Sequence, residues 1–384
     1  MSRPRPPDRR ALSRTHGRYV AMTSRLHQLS TLGQSVWIDF LSRQLLESGA
    51  LARAVEGDAV VGVTSNPTIF AKALSGDAYD QQIAASAGDA KSIFLELAIR
   101  DVTNACDLLR PVCERTEGAD GYVSIEVDPH LASDTEATIA QATYFHEMIS
   151  RPNLLVKIPA TESGVPAIEE MTARGYSINV TLIFSLSRHH QVANAYLRGL
   201  ERLVASGGDP SRIHSVASFF VSRVDTETDP RLTEAGRDDL KGRLGIANAK
   251  LAYQQYKELF DGERWDALAA RGATAQRCLW ASTSVKDPSM RDTLYIEELI
   301  GPQTISTMPE ETIRAFQDHG RVESRLEMEL DEAQSLFNQL SDAGVDYNDV
   351  VTALEREGID KFVVSVNELL DGIVTKRRSL HEAA

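Results

Sequence analysis

Eight short runs of β-branched and other apolar residues alternate with longer stretches of helical periodicity from Leu32 onward. This alternation is typical of repeated βα units around a parallel sheet. Eight such units close a (β/α)8 barrel, a fold that reaches this length when it carries insertions. The stretches after the second and sixth runs are long, so we expect additional helices there. The predicted strands are residues 36–40, 60–64, 122–127, 153–158, 178–182, 215–219, 278–282 and 304–308.

The two ends of the chain differ from this pattern. Residues 1–30 hold seven arginines against the single acidic residue Asp8, and three prolines interrupt any regular element. We expect a disordered leader there, with a transit peptide as the alternative and Met22 as an alternative start. At the other end, an apolar stripe predicts a helix that packs across the barrel, so that residues 31–384 form a single domain. The stripe consists of Phe362, Val366, Leu369, Leu370 and Ile373.

Composition argues against several classes of protein. The net charge of -14 argues against a nucleic-acid-binding protein, because the phosphate backbone repels an acidic surface. No apolar run approaches the roughly 18 residues that a membrane span needs. The three cysteines form no CxxC pair, and the adjacent His189 and His190 point apart on a predicted helix, where we expect both at the surface. We therefore expect a cytoplasmic protein with neither a disulfide framework nor a metal site.

The predicted strands share a second pattern, which concerns the faces of their side chains. Side chains alternate between the two faces of a strand, and in a barrel one face looks inward. The face that we assign to the surrounding helices is apolar and includes Ile38, Val63, Val127, Val156, Val180 and Phe219. The other face places polar residues near the C-terminal ends of six strands, where barrel enzymes build their active sites. This inward set includes Trp37, Asp39, Gly62, Thr64, Asn66, Ser124, Glu126, Asp128, Asn153, Leu155, Lys157, Asn179, Thr181, Ser218 and Phe220.

Lys157 carries the most specific chemistry of this inward set. It lies in an apolar strand, where burial disfavours the charged ammonium form, and a neutral amine is a nucleophile toward carbonyl groups. An isolated strand lysine more often extends past the strand end to solvent. Here Asp39 and Glu126 are predicted to share the interior with it, and Schiff-base chemistry needs carboxylates that move protons. We therefore predict that Lys157 forms a Schiff base with a ketone substrate.

Four motifs together closely resemble the transaldolase family. They are Val-Thr-Ser-Asn-Pro-Thr at 63–68, Val-Ser-Ile-Glu-Val-Asp at 123–128, Leu-Leu-Val-Lys-Ile-Pro-Ala-Thr at 154–161 and Asn-Val-Thr-Leu-Ile-Phe-Ser at 179–185. The resemblance covers about residues 32–377 and fits the longer bacterial branch of the family. It implies a barrel of the class I aldolase type that needs no cofactor and acts in the pentose phosphate pathway. The donor of the dihydroxyacetone unit would be sedoheptulose 7-phosphate or fructose 6-phosphate, and the acceptor glyceraldehyde 3-phosphate or erythrose 4-phosphate.

The resemblance also implies which residues take part in catalysis. Lys157 matches the Schiff-base lysine of the family. Glu126 matches an acid/base that acts through a water held together with Thr181. Asp39 matches the base that takes the hydroxyl proton as the carbon–carbon bond breaks. These four residues lie near the C-terminal ends of the first, third, fourth and fifth predicted strands, where barrel enzymes build their active sites.

Substrate-binding residues follow from the same resemblance. Arginine suits a phosphate site because its planar guanidinium group can meet phosphate oxygens bidentately. The alternative for Arg223 is a surface ion pair with Asp225. The implied residues are Asn66 and Asn179 for the dihydroxyacetone hydroxyls, Ser218 and Arg223 for the phosphate, and Phe220 for the pocket wall.

The chain departs from the family pattern after the seventh predicted strand. Short members of the family carry a further phosphate-binding arginine there, whereas this chain reads Ala-Ser-Thr-Ser-Val-Lys at 281–286. We expect Ser282, Ser284 and Lys286 to supply the second phosphate anchor through hydroxyl groups and one positive charge.

Two other functions remain open from the sequence. One is a Schiff-base aldolase that releases dihydroxyacetone to water instead of transferring it. The other is a non-catalytic barrel that binds sugar phosphates, which would have no need for Lys157, Glu126 and Asp39 together. In each case the ligands are small sugar phosphates, and we expect a monomer or a homodimer.

Overall fold

The computed structural model describes residues 24–382. Eight parallel strands pair in sequence order and close into a barrel, with β8 returning to β1. The predicted (β/α)8 fold is confirmed. The strands are β1 (Gln34–Asp39), β2 (Val60–Thr64), β3 (Tyr122–Glu126), β4 (Leu154–Pro159), β5 (Ile178–Ile183), β6 (Ser215–Phe220), β7 (Arg277–Ala281) and β8 (Thr304–Met308). The predicted strand ends lie within two residues of these bounds.

Helices surround the barrel, and additional ones follow β2 and β6 as predicted. They are α1 (Arg25–Thr31), α2 (Arg43–Glu47), α3 (Ala50–Gly57), α4 (Pro67–Leu74), α5 (Asp80–Ala85), α6 (Ala90–Arg115), α7 (Thr135–Ile149), α8 (Gly164–Ala173), α9 (Leu186–Ala205), α10 (Ser222–Glu234), α11 (Leu244–Leu259), α12 (Glu263–Ala269), α13 (Leu294–Glu298), α14 (Glu310–His319), α15 (Leu330–Asp342) and α16 (Tyr347–Glu382). Short 3-10 turns occupy Asp77–Tyr79, Pro129–Leu131, Pro210–Arg212 and Asp238–Leu240.

The alternation of side chains along the strands separates two hydrophobic clusters. The apolar face that we assigned to the helices lies in the larger cluster, with Val63, Val156 and Val180 fully buried. Trp37 belongs to the second cluster, which includes inward-facing strand residues together with residues of α10, α15 and α16. Gly62 makes room for it, since a Cβ atom there would lie 2.4 Å from the Trp37 indole. The alternation of side chains along each strand therefore determines which residues pack against the helices and which face the barrel axis.

Leu182 breaks this alternation at the end of β5. Its φ is +57°, a left-handed conformation that is unusual for a bulky residue. The pairing of β5 with β6 shifts register between Val180 and Ile183. As a result Leu182 joins the inner cluster, together with Phe184. The strand therefore ends in an irregularity directly after Thr181.

The C-terminal helix α16 packs across the barrel, as its apolar stripe predicted. It contacts α4, α5, α6 and α10 as well as β5. Gly358 allows a close approach, because a Cβ atom there would lie 3.3 Å from the Phe184 ring. Thr68 on α4 and Ser365 on α16 share a hydrogen bond of 2.8 Å between their hydroxyl groups. These contacts hold α16 beside the C-terminal ends of the strands.

The prediction that residues 1–30 form a disordered leader was wrong for the last residues of this segment. Residues 1–23 lie outside the described part of the chain, but the residues that follow form α1. The hydroxyl of Ser24 caps this helix by accepting a hydrogen bond from the backbone N–H of His27. Leu26 and Leu29 are fully buried. The sequence analysis did not predict this helix, because its two buried leucines stand in a segment that is rich in arginine.

Replacement of Leu29 by alanine tests whether α1 is part of the folded domain. We expect Leu29→Ala to lower the free energy of unfolding by about 2–5 kcal/mol, because it leaves a cavity against the barrel. Thr31→Ala is the matched control, since Thr31 lies on the same helix and is exposed. Urea denaturation followed by circular dichroism measures both. Equal stability of the two variants would contradict the packing of α1.

Candidate active site

A cavity of about 160 Å³ opens at the C-terminal ends of the strands. Its walls include ten of the predicted site residues: Asp39, Asn66, Lys157, Thr181, Ser218, Phe220, Arg223, Ser282, Ser284 and Lys286. Glu126 contacts Lys157 from the neighbouring strand, and Asn179 contacts Ser218. Residues from strands that are far apart in sequence therefore meet at one end of the barrel.

Lys157 and Glu126 form a buried ion pair. The register of β3 and β4 sets these two residues side by side, and Lys157 Nζ lies 2.9 Å from Glu126 Oε2. Lys157 Nζ also donates a hydrogen bond of 3.2 Å to the carbonyl oxygen of Ser65. Burial raises the pKa of Glu126, and the positive charge of Lys157 opposes this shift. A carboxylate with a raised proton affinity thus lies within proton-transfer distance of the amine.

Asp39 is held by a short chain of hydroxyl groups. Thr64 Oγ1 donates a hydrogen bond of 2.7 Å to Asp39 Oδ1 and lies 2.8 Å from Thr307 Oγ1. Burial raises the pKa of Asp39, while Lys157 and then the Thr64 hydrogen bond oppose this shift. The sequence placed Thr64 on the inward face but gave it no role, and Thr307 received none. The sequence signal that could have identified both threonines is their position on β2 and β8, the two strands that pair with β1.

Thr181 faces the same cavity from β5. Its hydroxyl oxygen is buried and has no hydrogen-bond partner among the residues 24–382. The same holds for Glu126 Oε1 in this part of the chain. Buried polar atoms normally have a partner, and Thr181 offers such an atom to the cavity that it lines, which fits the binding of a small polar molecule there.

The two asparagines occupy different positions. Asn66 lines the cavity, and its Oδ1 caps α4 by accepting a hydrogen bond from the backbone N–H of Ile69. Asn179 is fully buried, donating to Ser124 Oγ at 3.0 Å and accepting from Ser218 Oγ at 2.6 Å. The hydroxyl of Ser218 is thereby committed to Asn179. A hydrogen bond from Ser218 to a phosphate would require this hydroxyl to turn toward the cavity.

Within residues 24–382, Arg223 contacts two aromatic rings and forms no ion pair with a carboxylate. Its guanidinium carbon lies 5.1 Å from the centroid of Phe220 and 5.6 Å from that of Phe362. The alternative of an ion pair with Asp225 is wrong, because that carboxylate is buried and accepts hydrogen bonds from the Gly245 N–H and the Tyr295 hydroxyl. Burial raises the pKa of Asp225 to about 7. Arg223 Nη1 is buried without a hydrogen-bond partner in the described chain.

The segment after β7 forms the rim of the cavity. Ser282 has a φ of +55°, and its hydroxyl lies 2.8 Å from that of Ser222 at the start of α10. Lys286 Nζ donates a hydrogen bond of 2.7 Å to Ser284 Oγ and is otherwise exposed. The structure therefore brings Ser282, Ser284 and Lys286 to the cavity that Arg223 also lines. Strained backbone of this kind often lies at functional sites.

A larger cavity of about 1110 Å³ lies near the opposite end of the barrel. Part of its polar lining is paired internally, since Asp120 accepts hydrogen bonds from Ser35, Trp37 and Arg277. Lys157, Asp39 and Arg223 all line the smaller cavity instead. We therefore assign the candidate active site to the smaller cavity.

Three further findings concern features that the sequence singled out. Among residues 24–382, no group of histidine, cysteine and acidic residues has the arrangement of a metal site. Within the same residues no helix has the length and hydropathy to cross a membrane. The expectation that His189 lies at the surface was wrong, since it is 1% exposed and burial lowers its pKa to about 4. Its neighbour His190 is exposed.

A lysine paired with a buried carboxylate at the C-terminal end of a parallel barrel is an arrangement suited to enzymes that act on carbonyl compounds. Comparison with known proteins identifies the family within this class. The family model described as Transaldolase/Fructose-6-phosphate aldolase matches residues 36–373. The chain belongs to this family.

Curated relatives resemble the chain over nearly its whole length. A transaldolase of Acidothermus cellulolyticus is 50% identical over 369 residues, which cover 94% of this chain and 98% of the relative. That of Thermobifida fusca is 51% identical over 92% of this chain and 98% of its own length. That of Saccharopolyspora erythraea is 52% identical, with 95% of this chain and 100% of the relative covered.

The hydrogen bond between Thr64 and Asp39 makes a prediction about pH dependence. A donor to a carboxylate stabilises its charged form, so Thr64→Val should raise the pKa of Asp39 further. If activity needs Asp39 as a base, the acid limb of kcat/KM should move to higher pH. Thr64→Ser keeps the hydroxyl and should restore the wild-type profile. Thr172→Val, which removes a buried hydroxyl on α8, is the control, and an unchanged acid limb in Thr64→Val would contradict the prediction.

Proposed function

We propose that this chain is a transaldolase of the pentose phosphate pathway. It transfers a dihydroxyacetone unit from sedoheptulose 7-phosphate or fructose 6-phosphate to glyceraldehyde 3-phosphate or erythrose 4-phosphate. The observation that supports this best is that Lys157, which is paired with the buried Glu126, lines the same cavity as Asp39 and Arg223. Family membership and the names of the curated relatives support the same activity.

The first step is imine formation at Lys157. Transfer of the ammonium proton to Glu126 across 2.9 Å leaves a neutral amine, which attacks the ketose carbonyl. The carbinolamine must then lose water, which requires a proton at its oxygen. Glu126 can supply this proton through a water that it holds together with Thr181, whose buried oxygen has no partner in the described chain.

The second step is cleavage of the carbon–carbon bond. Asp39 takes the proton of the C4 hydroxyl, the C3–C4 electron pair moves into the protonated imine, and an aldehyde leaves. The resulting enamine waits for an acceptor aldehyde, and the same steps then run in reverse. Thr64 holds Asp39 in the geometry that this proton transfer needs. The protonated imine is itself the electron sink, so the proposed reaction needs no metal or organic cofactor.

Substrate binding follows from the cavity walls. Asn66 offers its amide group to the dihydroxyacetone hydroxyls, and Asn179 supports this site through its hydrogen bond with Ser218. The phosphate binds Arg223, whose buried Nη1 lacks a partner in residues 24–382, with Lys286 at the rim as a second positive charge. The proposed setting is the cytoplasm, in agreement with three free cysteines, and the proposed assembly is a monomer or a homodimer.

The second candidate function is an aldolase that releases dihydroxyacetone, an activity that the family description also includes. The two differ in the fate of the enamine. The test is incubation of the enzyme with fructose 6-phosphate, with and without erythrose 4-phosphate, followed by measurement of free dihydroxyacetone and sedoheptulose 7-phosphate. A transaldolase forms sedoheptulose 7-phosphate and little free dihydroxyacetone. Release of dihydroxyacetone at the same rate without the acceptor would favour the aldolase.

Trapping with borohydride tests the proposed roles of three residues after incubation with fructose 6-phosphate. Lys157→Met should give no adduct, because the nucleophile is lost while most of the side-chain volume is kept. Glu126→Gln should give an adduct about 100 to 10,000 times more slowly, which is the usual contribution of general acid–base catalysis. Asp39→Asn should accumulate adduct, since the imine forms but cleavage stalls. Mass spectrometry reads all three, and an adduct on another lysine in Lys157→Met would contradict the assignment.

Replacement of Arg223 tests the phosphate site. Arg223→Ala should raise KM for fructose 6-phosphate by about 10- to 100-fold, because a charge-assisted hydrogen bond contributes roughly 1.5–3 kcal/mol. The kinetic constants for unphosphorylated fructose should change little. Arg231→Ala is the matched control, since Arg231 lies on the same helix and pairs with Glu227 away from the cavity. Equal losses for both sugars would remove Arg223 from the phosphate site.

A further inference from the structure

Phe362 reaches the candidate active site from the C-terminal helix. It is 4% exposed, lines the cavity, and places its ring 5.6 Å from the guanidinium carbon of Arg223. The apolar stripe of α16 predicted only that this residue would pack on the barrel. Its contact with a positively charged group at the cavity indicates a more specific role.

Arg223 Nη1 is buried without a hydrogen-bond partner within residues 24–382, so no ion pair holds the guanidinium group through this nitrogen. Burial lowers the pKa of Arg223, and the negative charges of Glu126, Asp39 and Glu357 oppose this shift. Each of these three carboxylates has another partner, however. Glu126 pairs with Lys157, and Asp39 accepts a hydrogen bond from Thr64. Glu357 pairs with Lys361 at 2.8 Å. The direct contacts that orient the guanidinium group are therefore the rings of Phe220 and Phe362.

We propose that Phe362 is a positioning residue for Arg223 and determines the preference of the enzyme for phosphorylated sugars. The inference rests on the proposed function, in which Arg223 binds the substrate phosphate. An aromatic ring over the guanidinium group attracts its charge without neutralising it, unlike a carboxylate. The N–H donors therefore remain available to the phosphate. The ring also excludes water, which strengthens the attraction between the two charges.

The position of Phe362 depends on the docking of α16. Gly358 lies one helical turn before it and approaches the Phe184 ring, and Ser365 lies about one turn after it and is hydrogen-bonded to Thr68. These two contacts flank Phe362 and fix the height of its ring above the cavity. Phe184 in turn contacts Phe220, with ring centroids 5.2 Å apart. The aromatic contacts of Arg223 are thus tied to both the barrel and the last helix.

The experiment compares phosphorylated and unphosphorylated donors. Phe362→Leu keeps an apolar side chain in the cavity wall but removes the aromatic face. We expect KM for fructose 6-phosphate to rise by about 3- to 30-fold, the range of a partly to fully desolvated cation–π contact. The constants for fructose and the kcat for fructose 6-phosphate should stay near wild type. Phe362→Tyr retains the ring and should retain the wild-type preference.

Two controls separate the inference from a general effect of helix docking. Leu354→Ala truncates a buried residue of α16 that does not line the cavity, so it should leave the preference unchanged. Inorganic phosphate, used as a competitive inhibitor against fructose 6-phosphate, should bind more weakly to Phe362→Leu and normally to Phe362→Tyr. This measurement does not depend on the chemistry of the sugar.

The outcomes distinguish this inference from the proposed function. Equal rises of KM for both sugars in Phe362→Leu, or the same phosphate-specific loss in Leu354→Ala, would overturn the role of Phe362. If Arg223→Ala loses the phosphate preference and Phe362→Leu keeps it, the proposed function stands and the inference fails. If Arg223→Ala itself shows no preference change, the phosphate site of the proposed function is wrong and the inference fails with it.

Discussion

The buried ion pair between Lys157 and Glu126 is the interaction on which the site depends. Two charges inside a barrel are costly to desolvate, and removing one partner of such a pair typically costs about 3–5 kcal/mol. The pair persists here because adjacent strands β3 and β4 set the two residues side by side and Ser65 offers its carbonyl oxygen to the amine. The barrel must therefore be rigid and correctly paired for the charges to remain buried. The same burial raises the pKa of Glu126, which suits this residue to its proposed role as a proton acceptor.

The rest of the cavity is arranged around this pair by the geometry of parallel strands. Because all eight strands point the same way, their last residues meet at one end of the barrel. Departures from ideal strand geometry occur at that end: Leu182 follows Thr181 with a φ of +57°, and Ser282 follows β7 with a φ of +55°. Strained residues persist only where the surrounding packing determines them. The packed core thus supports an irregular edge that carries the polar side chains.

The last helix connects stability to recognition. The residues that dock α16 on the barrel, such as Val366 and Leu369, belong to the same stripe as Phe362, which contacts Arg223. The packing of α16 on the barrel therefore also places the Phe362 ring beside the guanidinium group of Arg223. Near the start of the described chain, α1 packs against β1 and α14 and buries two leucines.

The sequence by itself determined the barrel and the inward position of Lys157, Glu126 and Asp39. It could do so because strands have a period of two, which shows in neighbouring residues. The tertiary structure alone decided the contacts between residues far apart in the chain, such as Phe362 with Arg223. The bond from Thr64 to Asp39 likewise depends on the register between strands, and the burial of α1 depends on the surface it covers. Local patterns specify which face a residue takes, but distances between elements arise only when the barrel closes and its core is packed.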